Sequence, residues 1–355
     1  MTARAAFVIA ALRTAVAPRG GAFRHLRVED LAAPVIQGLL ARTGLAPADV
    51  DEVILANALG EGGNPARRAA LLAGLPQRVA GLSIDRQCAG GLDALLLARA
   101  LILSGQAEIV IAGGAESASL RPERRMPGAP APYDEAPFTP WPDRNPRMAE
   151  AAASLALQLN LSRREQDAWA VASHAKARAA DLSAEILPIA GLDRDAFTRT
   201  LTPQLAARAT PVLGPITAAN AAVAADAAAF VLVVSDRIAA RFPRALRLTG
   251  ITLGADPLQP GLAPVAAITA ALAGRRPDIA EIMEAYAVQA IACIRGAGLD
   301  PARVNPGGGA LARGHPIGAS GAILAVRLFH QLQTGQLGLA AIAAAGGLGT
   351  AITLE

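Results

Sequence analysis

The chain has 355 residues, of which 53% are hydrophobic, 17% charged and 3% aromatic. That is too apolar for a disordered protein and long enough for two domains of about 100–200 residues each. Thirty-three Lys and Arg against 29 Asp and Glu give a net charge of +4 with no long basic stripe, so nucleic-acid binding is not expected. Two cysteines and four scattered histidines exclude a disulfide scaffold, a four-thiolate metal site and a local histidine pair for a metal.

Residues 4–12 form an apolar run closed by Arg13, which reads as a buried first strand rather than a secretion signal, so the protein is expected in the cytoplasm. Helical periodicity follows over 28–42, a strand pattern over 51–58, a helix over 66–73 and a strand over 79–85. An apolar helix over 91–103 and a strand over 108–112 complete this set. Residues 121–147 are rich in proline and read as an extended loop; Arg121, Arg124 and Arg125 in it are either a solvated cluster or a seat for a phosphate-bearing ligand. Helices are predicted over 148–161 and 162–183, the second opening on the capping box Ser162 to Glu165. The stretch 212–235 carries one charge, Asp226, but Pro215 and its many alanines make it a poor membrane span. Beyond it come a helix over 263–273, a strand over 278–283, helices over 284–296 and 319–332, and a strand over 339–344. Alternation of this kind predicts α/β layers with mixed sheets.

The chain also resembles itself. Residues 49–56 match 278–285 at an offset of 229, 104–106 match 334–336 at 230, and 109–114 match 342–347 at 233. This predicts two halves of similar topology: 1–117 with 211–245, and 246–355, separated by an inserted loop domain over 118–210.

Cys88 falls between a predicted strand and an apolar helix, followed by Gly90 and Gly91. A thiol at a helix N-terminus feels free N–H groups that favour a thiolate or an oxyanion, though a buried structural cysteine fits the same pattern. His315 lies in a second glycine-rich segment, 305–321, just before another apolar helix, where an imidazole can be held rigidly as a general base. At the offset of 230, Cys88 maps onto Gly318, so the two groups would face each other across a pseudo-twofold crevice.

Taken with further blocks at 8–14, 66–76, 112–117, 162–167, 216–220 and 284–287, these segments resemble the thiolases, acyl-CoA acyltransferases that form or cleave 3-oxoacyl-CoA. The similarity runs nearly end to end. It implies a five-layered α-β-α-β-α fold from two related halves, with the inserted domain helping to bind coenzyme A. By resemblance, Cys88 carries the acyl group as a thioester and His315 activates its thiol. The main-chain N–H groups of Cys88 and Ala345 form one oxyanion hole, and His315 helps hold the second thioester oxygen. Met148, Ala218, Ala222 and Ala285 are the CoA-facing positions. The resemblance further implies a coenzyme A thioester as substrate with no other cofactor or metal, a role in fatty acid metabolism, and a homodimer or homotetramer.

Four positions depart from the family: Ala345 stands for a glycine, Ala222 for a serine near the CoA site, and two more bear on the chemistry. The family's second cysteine, which removes the α-proton from the attacking acyl-CoA, is here Ala343, and the asparagine that holds a catalytic water is Met283. Alanine has no proton to exchange, and methionine can neither donate nor accept a useful hydrogen bond. Cys293 lies ten residues beyond Met283 on the following helix, too far along to substitute, and Glu284 is structural in the family. Three readings remain: a thiolase with an unconventional base, an enzyme limited to acyl transfer or thioester hydrolysis, and a weakly catalytic acyl-CoA-binding or scaffold subunit.

Overall fold

The computed structural model describes residues 4–355. In the first half, strand β1 (Ala6–Thr14) is followed by helix α1 (Val28–Thr43), β2 (Glu52–Ala56), α2 (Pro65–Leu72), β3 (Leu82–Ile84), α3 (Gly90–Ser104) and β4 (Ile109–Ser117). The insertion contributes α4 (Met148–Gln158) and α5 (Arg163–Ala179), and the chain re-enters the sheet as β5 (Ala225–Ser235). The second half comprises β6 (Leu246–Gly254), α6 (Pro264–Leu272), β7 (Ile279–Ile282), α7 (Ala287–Gly296), α8 (Ile317–Gln331), β8 (Gly338–Ala344) and β9 (Leu348–Leu354).

Strand order is β3-β2-β4-β5-β1 in the first half and β7-β8-β9-β6 in the second. Both halves pair their first and last strands antiparallel and their inner strands parallel. Val304 bridges Ala280 in parallel at the place where β3 stands beside β2. The halves are therefore one topology written twice, joined where β1 pairs β6 through Phe7–Arg247 and Val8–Leu246.

Three apolar layers separate the elements. Helices α1 and α2 cover the outer face of the first sheet, α6 and α7 that of the second, and α3 and α8 lie between the sheets. This is the five-layered arrangement that the resemblance implies. The segment Gln87–Ser104 is long and apolar enough to cross a membrane, yet it contains the central helix α3. Its contact with α8 depends on two glycines: a Cβ on Gly91 would lie 2.4 Å from Ala322 N, and one on Gly321 2.6 Å from Leu92 N. Any side chain there would force the helices apart.

The insertion is tied to this frame by a buried charge cluster. The fully buried Arg13 donates through Nε to Glu185 Oε1 at 2.8 Å and through Nη1 to Asp195 Oδ1 at 2.7 Å, and Arg327 of α8 donates to Glu185 Oε2 at 3.0 Å. Buried charges must be paired, and these pairs join β1, α8 and the insertion.

Candidate active site

Cys88 sits in a single 3₁₀ turn, Gln87–Ala89, ahead of α3. Gln87 adopts a left-handed φ of 49°, stabilised by its N–H and its side-chain amide donating to Asp85 Oδ1 at 2.8 and 2.9 Å. His315 occupies the matching place in the other half, two residues before α8, with its N–H donating to Val223 O at 2.7 Å. The two side chains meet: Cys88 Sγ lies 3.1 Å from His315 Nε2.

Ser320, one turn into α8, completes the row. Its Oγ is 2.6 Å from His315 Nδ1 and donates to Pro316 O at 3.0 Å. A hydroxyl has one proton, so an Oγ that donates to Pro316 accepts from Nδ1–H. The imidazole then presents an unprotonated Nε2 to the thiol. Burial pushes the Cys88 thiol up to about 12, against the pull of its own main-chain N–H and with an added push from Glu116 and Asp85. The same loss of solvent brings His315 down to about 4. At neutral pH the pair is thus thiol and neutral imidazole, and the proton must move as the sulfur attacks.

Glu116, at the end of β4, braces this arrangement. One carboxylate oxygen accepts from Asn57 Nδ2 and Leu59 N at 2.7 and 3.1 Å, the other from Ala58 N and Gly318 N at 3.1 and 2.9 Å. The last bond reaches across to α8, fixing the His315 turn to the half that carries Cys88. Nothing in the sequence pattern singled out Ser320 or Glu116, although both stand inside the blocks that carry the resemblance.

A cavity of about 50 Å³ opens beside the sulfur, lined by Cys88, Met148, Ala151, Ala152, Leu155, Tyr286, Gln289, Ala343 and Ala345 among others. Ala343 ends on this wall as methyl only. Ala345 sits at the tip of the β8–β9 hairpin, whose remaining residues Gly346 and Gly347 take φ of 78° and 77°. A Cβ at Gly347 would stand 2.5 Å from Ala255 O, so the tip beside Cys88 requires glycine. Met283 is buried in the central apolar layer, off the cavity wall.

The remaining expected residues divide. Ala222 and Ala285 pair through Ala222 N and Ala285 O at 2.9 Å and pack beside the central layer with Cys88, whereas Ala218 is exposed and off the cavity wall. The helix expected from 284 begins at Ala287, because the chain bends at Ala285 and the extended Tyr286 bridges Ala221. Glu284 is saturated by Trp169 Nε1, Ser173 Oγ, Asn305 Nδ2 and Leu311 N at 2.7–3.2 Å. Cys293 is fully buried in the outer layer and donates to Gly261 O at 3.1 Å. In the loop, Arg121 pairs with Asp134, Arg125 with Glu123, and Arg124 donates to Ala58 O, so each has a protein partner. Among the described residues no cluster of three potential metal ligands occurs.

Residues 6–237 match the family model "Thiolase, N-terminal domain" and residues 243–355 the model "Thiolase, C-terminal domain". The chain is 38% identical to an acetyl-CoA acetyltransferase of Pseudomonas aeruginosa over 98% of each chain. The crystal structure of the Bacillus anthracis acetyl-CoA acetyltransferase superposes with a TM-score of 0.92 at 33% identity, covering 99% of this chain and 98% of that one. Human mitochondrial 3-ketoacyl-CoA thiolase, solved in complex with CoA, gives 0.91 at 30% identity with the same coverage.

Proposed function

The chain belongs to the thiolase family and is a thiolase-like acyltransferase; on that premise we propose that Cys88 takes the acyl group of an acyl-CoA as a thioester, with His315 as base. The observation that carries this reading is the 3.1 Å contact between Cys88 Sγ and His315 Nε2, built from opposite halves. As Sγ attacks the thioester carbon, its proton passes to Nε2 and the oxyanion falls to the N–H groups of Cys88 and Ala345. Collapse breaks the carbon–sulfur bond to coenzyme A, whose sulfur takes the proton from Nε2 and leaves as the free thiol. CoA bound in the human relative supports a coenzyme A thioester as substrate, with Met148 on the cavity wall and Ala218, Ala222 and Ala285 off it as its proposed contacts.

Carbon–carbon chemistry needs in addition a base for the α-proton. Ala343 and Met283 offer none, the oxygens of Glu284 are occupied, and Cys293 belongs to another layer. We therefore assign acyl transfer as the principal reaction and a slow Claisen step, since general acid–base groups contribute about 10²–10⁴-fold. The proposed setting is cytoplasmic fatty acid metabolism. The proposed assembly is a homodimer or homotetramer, supported by the free outer edge of β3 and the exposed Leu71, Leu72 and Leu82 beside it.

Incubation with radiolabelled acetyl-CoA tests the assignment. Label is expected on Cys88 in the wild type and lost in Cys88→Ser; an unlabelled wild type leaves only a binding or scaffold role.

A further inference from the structure

His315 is hung between two supports. Its own N–H donates to Val223 O at 2.7 Å. The chain that leads into it, residues 305–314, is seated on the insertion. Ser173 Oγ of α5 donates to Glu284 Oε2 at 2.7 Å and accepts from Gly309 N at 2.9 Å, and the same carboxylate oxygen accepts from Leu311 N at 3.2 Å. One turn along α5, Lys176 Nζ donates to Val304 O at 2.9 Å, and Thr198 Oγ1 donates to Ala312 O at 3.1 Å. The fit has no slack, since a Cβ on Gly308 would stand 2.4 Å from Ser173 O. The short helix Ala310–Arg313 ends in Gly314, at a φ of 113°, whose N–H closes on Ala310 O at 2.7 Å, and His315 is the next residue. Ser173 and Glu284 are both buried, so removing the hydroxyl leaves Gly309 N–H and a carboxylate oxygen each short of a partner that solvent does not replace.

We propose that Ser173 is a positioning residue for the reaction: through Gly309 and Leu311 it sets where the His315 imidazole stands relative to Cys88. The insertion then supplies the seat of the base as well as one wall of the cavity, the latter through Met148, Ala151, Ala152 and Leu155 of α4. The proposal deepens the acyl-transfer reading and rests on it. The sulfur and Nε2 are 3.1 Å apart. Displacing a reacting group by about 1 Å can cost as much as about 10²-fold in rate. With Nε2 out of reach, the thiol has to give its proton to solvent hydroxide before the sulfur attacks, and the rate follows the thiolate fraction.

The test is single-turnover formation of acyl-Cys88 from acetyl-CoA, followed by quenched-flow mass spectrometry. In Ser173→Ala the saturating rate near pH 8 is expected to fall about 10-fold or more. The half-saturating acetyl-CoA concentration should stay within twofold of wild type, because α4 and the cavity wall are untouched. Between roughly pH 8 and 9 the wild-type rate stays level, whereas that of the variant rises about tenfold. Glu116 and Asp85, the carboxylates whose charge reaches Cys88, are the same in both proteins, and Glu116, raised by burial to about 7, titrates below this window. A variant that is merely less stable yields less adduct with no slope. If Ser173→Ala fails to fold, Thr198→Val keeps the shape of the side chain and removes only the bond to Ala312 O. It is expected to lose about 3-fold or more in rate and to show the same rise with pH. A folded variant whose rate is within twofold of wild type, or is slower with a level profile, overturns the proposal and leaves acyl transfer standing. Absence of any adduct in the wild type overturns the acyl-transfer reading and this proposal with it.

Discussion

Replacing Ser320 by alanine isolates the contribution of imidazole orientation. In the wild type Ser320 Oγ accepts from His315 Nδ1 at 2.6 Å and holds Nε2 as the acceptor facing the sulfur. During acylation the ring becomes an imidazolium and this bond becomes charge-assisted, the class worth about 1.5–3 kcal/mol. Removing it should slow acyl-Cys88 formation by about 10–150-fold, taking 1.36 kcal/mol per tenfold. Ser320 is 3% exposed within α8, where alanine is the better helix former, so the melting temperature should change little. The assay is the single-turnover rate of adduct formation with saturating acetyl-CoA. A Ser320→Ala rate within twofold of wild type would refute the argument that Ser320 sets the tautomer.

Three further outcomes are expected. Ala343→Cys places a thiol on the cavity wall opposite Cys88 and should raise acetoacetyl-CoA cleavage by at least ~10²-fold; no gain would mean that Met283 or the backbone also blocks turnover. With His315 neutral above about 4 and the Cys88 thiol protonated below about 12, neither should titrate the acylation rate from roughly pH 5 to 9, and the one step expected in that interval is that of Glu116, which burial raises to about 7. Over the same interval Cys88 alkylation by iodoacetamide should rise with pH without a plateau near the ordinary thiol value. Glu116→Gln sets an amide NH₂ against two of the N–H groups that the carboxylate accepts, leaving them unpaired at about 1–3 kcal/mol each. Its urea midpoint should fall by the equivalent of about 2–6 kcal/mol, with the acylation rate dropping alongside, and an unchanged midpoint would refute the bracing role.

Much of this was readable in the chain because local chemistry and global fold agree where the residues are distinctive. Cys88, His315 and their glycines mark two helix entries, and the offset near 230 exposes the repeat. Strands β5 and β9 are hidden because they are buried almost throughout, and β6 because Gly250 interrupts its alternation. Ala225–Ser235 is buried at every position, so a period of two never appears. The start of α7 was set too early because Met283 to Tyr286 has helical composition, and only the bridge from Tyr286 to Ala221 keeps it extended. Ser320 left no signal at all: the fourth residue of a helix acquires meaning only from what stands opposite it. Ala343 and Met283, by contrast, are conspicuous as substitutions, since the loss of a proton-exchanging thiol and of a water-holding amide is visible without coordinates.

The nucleophile and its base come from different copies of the repeated half, so neither copy holds a complete reaction centre. What brings them within 3.1 Å is the docking of α3 on α8 through Gly91 and Gly321 and the bond from Glu116 to Gly318. Turnover is therefore a gauge of how firmly the copies are seated on each other. Dilute denaturant that merely loosens this seam should silence the protein while its circular dichroism is still that of the intact fold.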